Sequence, residues 1–152
     1  MKLSLELKQQ VIEACRERVS ARVENANHAM QEAQLAANGE EKSSAGDKFE
    51  TSRAMGHRDR DMYARQFVEA KNELQKMDRL STDPSFLIRM GSLFLANGIL
   101  YFIATGLGKI ELNNLEIMVI SKEAPIASAM LGKSKGDEFL WNSKSWKIED
   151  LI

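Results

Sequence analysis

The chain is poor in cysteine and proline, with one and two respectively among 152 residues. The lone Cys15 excludes an intramolecular disulfide, and without a cysteine cluster there is no zinc site of the multi-cysteine kind. His28 and His57 are isolated, so neither completes one. Charge of either sign is not in excess: 21 Lys and Arg face 22 Asp and Glu, for a net charge of −1. That balance argues against holding nucleic acid by bulk electrostatics. No apolar run approaches the ~20 residues of a membrane span. The first ten residues lack the apolar core of a signal peptide, so the expected location is the cytoplasm with no membrane contact. A Walker-type glycine loop is missing, as are internal repeats and low-complexity tracts.

What is present falls into two halves with different periods. Residues 4 to about 38 contain no Pro or Gly. Ile12, Val19, Ala26 and Ala33 recur every seven residues, with Cys15, Val23, Met30 and Ala37 beside them. This is one apolar stripe on a helix, close to a heptad seam. On that stripe Cys15 reads as a core thiol. Asn38-Gly39 is the expected helix stop. A second helix is expected from about Asp47 to Leu80, with Tyr63, Phe67, Ala70, Leu74 and Met77 as its seam. Gly56 is its weak point, costing roughly 1 kcal/mol relative to Ala. Met55 and Met62 are expected to pack. Two such helices joined by a short loop should lie antiparallel, on the order of 45–50 Å long at 1.5 Å per residue.

Ser81 to Ser85 reads as a linker, and short strands with turn signals follow it. Expected strands are 91–96, 99–104, 109–112, 115–120, 137–141 and 145–150. Asn97-Gly98 and Asn113-Asn114 mark tight turns. Pro125 to Leu131 reads as a short helix with Pro at its first position and Gly132 as its stop. Leu93, Leu95, Ile99, Tyr101, Ile103, Ile110, Ile117, Val119 and Phe139 form the expected core, and Trp141 and Trp146 should pack the same domain. The fold class is therefore α+β. The domains are a two-helix hairpin over 1–80 with an acidic tip near 40–50, a linker over 81–90, and a small sheet domain over 91–152.

The candidate chemistry sits at the hairpin tip. Asp47 and Glu50 have the spacing of a capping pair, in which both acids satisfy free amides at a helix start. The same two carboxylates, facing outward, can contribute to a metal site whose other ligands come from a partner and a phosphate. Two carboxylates alone are too weak a cage for Mg²⁺. Such a shared ion would orient and activate a water for attack on a phosphodiester. Arg53, one turn past Glu50, belongs to a basic run with His57, Arg58, Arg60 and Arg65 that Asp59 and Asp61 interrupt. A solvated face explains that run, and an RNA backbone steered by Arg53 is the functional alternative.

At this point the chain resembles the GreA/GreB family of bacterial transcript-cleavage factors over nearly its whole length. One matching segment is Gly46-Asp47-Lys48-Phe49-Glu50, similar to that family's tip. The other is Ala124-Pro125-Ile126-Ala127-Ser128-Ala129-Met130-Leu131-Gly132-Lys133 with Gly136-Asp137 beyond it. The resemblance implies a coiled-coil hairpin followed by an FKBP-like antiparallel-sheet domain. It implies binding at the RNA polymerase secondary channel, with the segment around Glu123, Ala124, Pro125 and Ile126 on the docking surface. It also implies that Asp47 and Glu50 help hold a Mg²⁺ ion shared with the polymerase, at the 3′ end of a backtracked transcript. RNA and DNA would be met only through the polymerase. The protein would then be an accessory factor that completes an active site in trans, not a free-standing enzyme. The family's residues after the tip are replaced here by Thr51, Ser52, Arg53 and Ala54, and Ala124 stands where the family has Ser. A channel-binding regulator without cleavage activity, and a coiled-coil chaperone or prolyl isomerase with an FKBP-like domain, are the alternative readings.

Overall fold

The computed structural model describes the backbone of residues 2–41 and 46–152, and the side chains of 2–39 and 54–152. Two long helices come first, α1 (Leu5–Glu41) and α2 (Gly46–Asp78). Strands β1 (Leu93–Ala96), β2 (Ile99–Ala104), β3 (Gly108–Leu112) and β4 (Leu115–Ser121) follow. Helix α3 (Pro125–Met130) and strands β5 (Glu138–Trp141) and β6 (Lys144–Leu151) complete the chain. It divides into two compact units, Glu17–Gln75 and Met1–Arg16 with Lys76–Ile152.

The first unit is an antiparallel helix pair. Val19, Ala26, Ala37 and Ala70 are buried on its seam, with Val23, Met30, Tyr63, Phe67 and Leu74 half-buried beside them. Cross-helix partners run in opposite order along the two helices. Ala37 faces Gly56, Gln34 Oε1 accepts from Arg60 at 3.0 Å, and Arg22 pairs with Glu73 at 3.4 Å. Helix α1 passes the expected stop at Asn38-Gly39 and continues to Glu41. Gly39 does not adopt positive φ, and glycine permits the left-handed cap without requiring it.

Gly56 is a contact rather than a weak point. A Cβ built on it would stand 3.1 Å from Ala37 Cβ and 3.3 Å from Ala37 Cα. The missing side chain lets two backbones approach closely opposite a fully buried alanine. Gly56→Val should therefore destabilise the hairpin by about 1–3 kcal/mol, because a branched side chain forces the helices apart. Urea unfolding followed by circular dichroism checks this. A Val variant as stable as the parent would show that the approach is soft.

The second unit holds a six-stranded sheet in the order β3-β4-β2-β1-β6-β5. Its neighbours are antiparallel except β2 and β4, which run parallel with Phe102 opposite Val119. Three two-residue turns set the hairpins: Asn97-Gly98, Asn113-Asn114 and Asn142-Ser143. All six residues have positive φ, between 47° and 76°, as the type I′ geometry matched to strand twist demands. On one face Phe94, Tyr101, Ile103, Phe139 and Ile148 pack with Ala127 and Met130 of α3. Phe94 and Tyr101 face each other across β1 and β2, with ring centroids 5.5 Å apart. Trp141 and Trp146 pack against this cluster as expected.

Core membership departs from the expectation at β2. Leu100, Phe102 and Ala104 are buried along with Tyr101 and Ile103, so both faces of this strand are covered. In the same unit Leu3, before α1, and Val11 and Cys15 of α1 are buried as well. Leu3 N donates to Asp150 at 3.0 Å, and Asn113 Nδ2 donates to Gln10 at 2.8 Å. Ile99, expected in the core, is 38% exposed because it opens β2 at the turn. Leu95 is only half-buried.

Candidate functional site

The helical backbone of α2 begins at Gly46, which puts Asp47 inside its first turn, not at the N-cap, and Glu50 at the start of the second. Three residues apart, the two share one helix face. Their side chains, and that of Arg53, lie outside the described residues. Among the described residues no group of three or more His, Cys, Asp or Glu can hold a metal ion. The donor set at the tip is carboxylate oxygen, which suits a hard cation such as Mg²⁺. Two carboxylates leave most of an octahedral shell to other donors. The pair therefore fits a shared ion and not a self-sufficient site.

Further along α2, Arg60 is engaged within the hairpin, through Gln34 and through Asp61 at 2.6 Å. Those hydrogen bonds hold the Asp61 carboxyl below its usual range. Met55 and Met62, expected to pack, are exposed. They lie seven residues apart, about a quarter turn from the Tyr63–Ala70 seam. His57 is half-buried.

The predicted docking segment joins β4 to α3. Glu123 and Pro125 are exposed, whereas Ala124 and Ile126 are half-buried against the core cluster. Helix α3 starts at Pro125 as expected, but Ala124 gives its N-terminus no side-chain cap. A Ser there would supply the missing acceptor. Ala127 and Met130 point into the core, so Pro125 and Ser128 form the outer side. Gly132 ends the segment with φ of 81° and Gly136 turns with φ of 92°. Asp137 then accepts from Ser134 N at 2.8 Å and Ser134 Oγ at 3.1 Å. These bonds hold the Asp137 carboxyl below its usual range. The Gly-Asp pair thus builds the turn into β5.

Sequence reasoning missed three features. Lys8 is buried on the α1 stripe, where a lysine reads as solvated. Its Nζ donates to Asp83 O at 2.6 Å and Ser85 Oγ at 3.2 Å, which pins the start of the linker. Burial, then nearby Arg89, lowers its pKa, against the opposing pull of Asp83. Phe86 and Leu87, in the linker, are exposed apolar side chains. Asp150 gathers Leu3 N, Leu151 N and Lys135.

Burial raises the Asp150 carboxyl, but the donors from Leu3, Leu151 and Lys135 outweigh it and hold the pKa below the usual carboxylate range. A folded pKa below the unfolded value stabilises above the ordinary value of about 4 and is lost as pH falls through the folded pKa. Asp150→Asn should be less stable than the parent at neutral pH, and the gap should close as pH falls below about 4. Urea midpoints taken from neutral to acid pH measure this. A gap that stays constant would show that the Asp150 charge contributes nothing.

No protein-family model and no curated protein matches the chain. Among solved structures it is similar to GreA factor homolog 1 (Gfh1) of Thermus thermophilus, at 16% identity and a TM-score of 0.36. That match covers 90% of this chain and 94% of the other. Gfh1 of Thermus aquaticus is similar at 16% identity and a TM-score of 0.33, over 89% and 92% of the two chains.

Proposed function

We propose that this chain is a Gre-like transcription elongation factor that binds RNA polymerase at its secondary channel. The observation that carries the reading is the 124–137 segment. Its resemblance to the GreA/GreB pattern falls on real structural devices: a helix opened by Pro125, a left-handed stop at Gly132 and a turn built by Gly136 and Asp137. Glu123, Ala124, Pro125 and Ile126 belong to the docking surface in this reading. The start of α2 carries Asp47 and Glu50 into the channel, where their carboxylates meet the polymerase active site. A Mg²⁺ ion shared with the polymerase supplies the polarisation of water needed for phosphodiester attack. Asp47 and Glu50 hold oxygen donors in place for that ion, and Arg53 lies near the RNA. The protein acts in trans and is not itself the enzyme.

A second reading, a channel-binding regulator without cleavage, is favoured by the departures at Thr51 to Ala54 and by the uncapped Ala124. An isomerase reading has less support. Phe94, Tyr101 and Phe139 are buried against one another and against Trp146, so these rings serve the core.

The test is a pull-down with purified core RNA polymerase, followed by a Mg²⁺-dependent cleavage assay on stalled, backtracked complexes. Binding with accelerated cleavage is expected. Binding without acceleration selects the regulator, and no binding sinks both.

A further inference from the structure

We infer that the outer edge of β3 is a self-association site, at which a second copy of this chain pairs antiparallel about Ile110, with Lys109 of each copy opposite Glu111 of the other. The inference goes beyond the polymerase reading and stands or falls without it.

β3 and β5 end the sheet, and each is bonded to one neighbouring strand. Residues flanking a two-residue turn form a hydrogen-bonded pair, and such pairs alternate along an antiparallel ladder. Leu112 and Leu115 flank Asn113-Asn114, so Leu112 and Ile110 bond inward to β4. The N–H and C=O groups of Lys109 and Glu111 then point to the open edge. Gly108, Lys109 and Glu111 are exposed there, while Ile110 is buried. Leu107 N donates to Val119 O at 3.2 Å, and Gly108, with φ of 71°, is in register with the same residue. That bulge bends the strand and ends its pairing edge at Lys109.

The antiparallel self-pairing that uses all of these outward groups centres on Ile110. Lys109 meets Glu111 of the second copy as a hydrogen-bonded pair, and Glu111 meets Lys109 in the same way. Ile110 then faces Ile110 across the two-fold axis. Both copies present the same patch, as a closed two-fold contact requires.

Charge indicates why the occupant is this chain. Charged side chains on an edge strand usually block pairing. Lys109 and Glu111 share a face of the strand, so a copy running antiparallel brings opposite signs together at both positions. Within one chain Glu111 lies directly opposite Glu116, a like-charge pair that costs stability. Lys109 reaches Glu116 at 3.2 Å, while Glu111 has no ion pair among the described residues. Lys109 of the second copy supplies that missing cation. β5 offers no such match, since pairing about Phe139 would set Glu138 against Leu140. The bulge also leaves too short an edge for a long foreign strand. The contact is small, so the pair is weak and reversible.

Sedimentation of the full chain from about 10 μM to about 1 mM tests this. The parent should pass from monomer toward dimer within that range. Lys109→Glu and Glu111→Lys each set like charges opposite one another at both positions, and each should weaken association about tenfold or more. Mixed together, the two variants present an acidic edge to a basic one and should associate at least as tightly as the parent. The double variant Lys109→Glu with Glu111→Lys restores the matched pattern and should self-associate again. Glu138→Lys on β5 is the exposed control and should behave like the parent. Thermal unfolding of each variant confirms that the fold is kept. A parent that stays monomeric at about 1 mM overturns the inference and leaves the edge to a strand of another protein. Single variants that associate like the parent overturn it too, as does a mixture that associates no better than its components. None of these outcomes touches the polymerase reading.

Discussion

Asp47→Ala and Glu50→Ala should each abolish accelerated transcript cleavage while leaving polymerase binding intact. Removing one of two carboxylates from a shared ion site should cost about a hundredfold or more in rate, since even outer ligand partners cost 10–100-fold. Alanine alone does not separate the two duties of these acids. Loss of an acid from a first helical turn also costs about 0.5–1 kcal/mol of helix stability. Asp47→Asn and Glu50→Gln make the separation. Asn caps about as well as Asp, and Gln replaces Glu in a capping pair, but neither provides the anionic oxygens a Mg²⁺ ion needs. Cleavage lost with helicity kept identifies a metal role. Cleavage retained in both amide variants would reduce the tip to a helix cap.

Phe102→Ala should be the most damaging single truncation in the sheet unit, at about 3–5 kcal/mol. Phe102 is fully buried in β2, opposite Leu93 of β1 and Val119 of β4. Neighbours on both sides of a central strand leave little room for collapse into the vacancy. Ile99→Ala, on the same strand, should cost about 1 kcal/mol or less, because much of its side chain already meets water. Urea midpoints compare the two. Similar losses would mean that the burial difference along β2 has no energetic counterpart.

That contrast shows where sequence reasoning stops. Punctuation was legible: the Asn-rich turns, Pro125 and Gly132 fall where local chemistry puts them, and β2 has the boundaries its sequence predicts. The seams of α1 and α2 were legible because a helical period survives without knowledge of the partner. Alternation along β2 assumed one wet face, so Leu100 and Phe102 were left out of the core. Their burial depends on elements outside the strand, and no local pattern announces it. Lys8 was hidden for the same reason, since its acceptors at Asp83 and Ser85 are remote in sequence. At the candidate site the residue types and their spacing were legible. The structure adds that Asp47 lies in the first turn of α2 and Glu50 just past it.

The sheet unit is assembled from residues on both sides of the hairpin, with a consequence for synthesis. Residues 17–75 contain both halves of their own seam and can pair as soon as they leave the ribosome. The sheet unit has to wait. β6 lies between β1 and β5, and Asp150 receives Leu3, so the unit closes only once β6 has been made. Until then Leu3, Val11, Cys15 and the apolar strand β2 lack their cover. The nascent chain thus passes through a stage in which the hairpin is finished while Leu3, Val11 and Cys15, on its N-terminal side, remain without a place to pack.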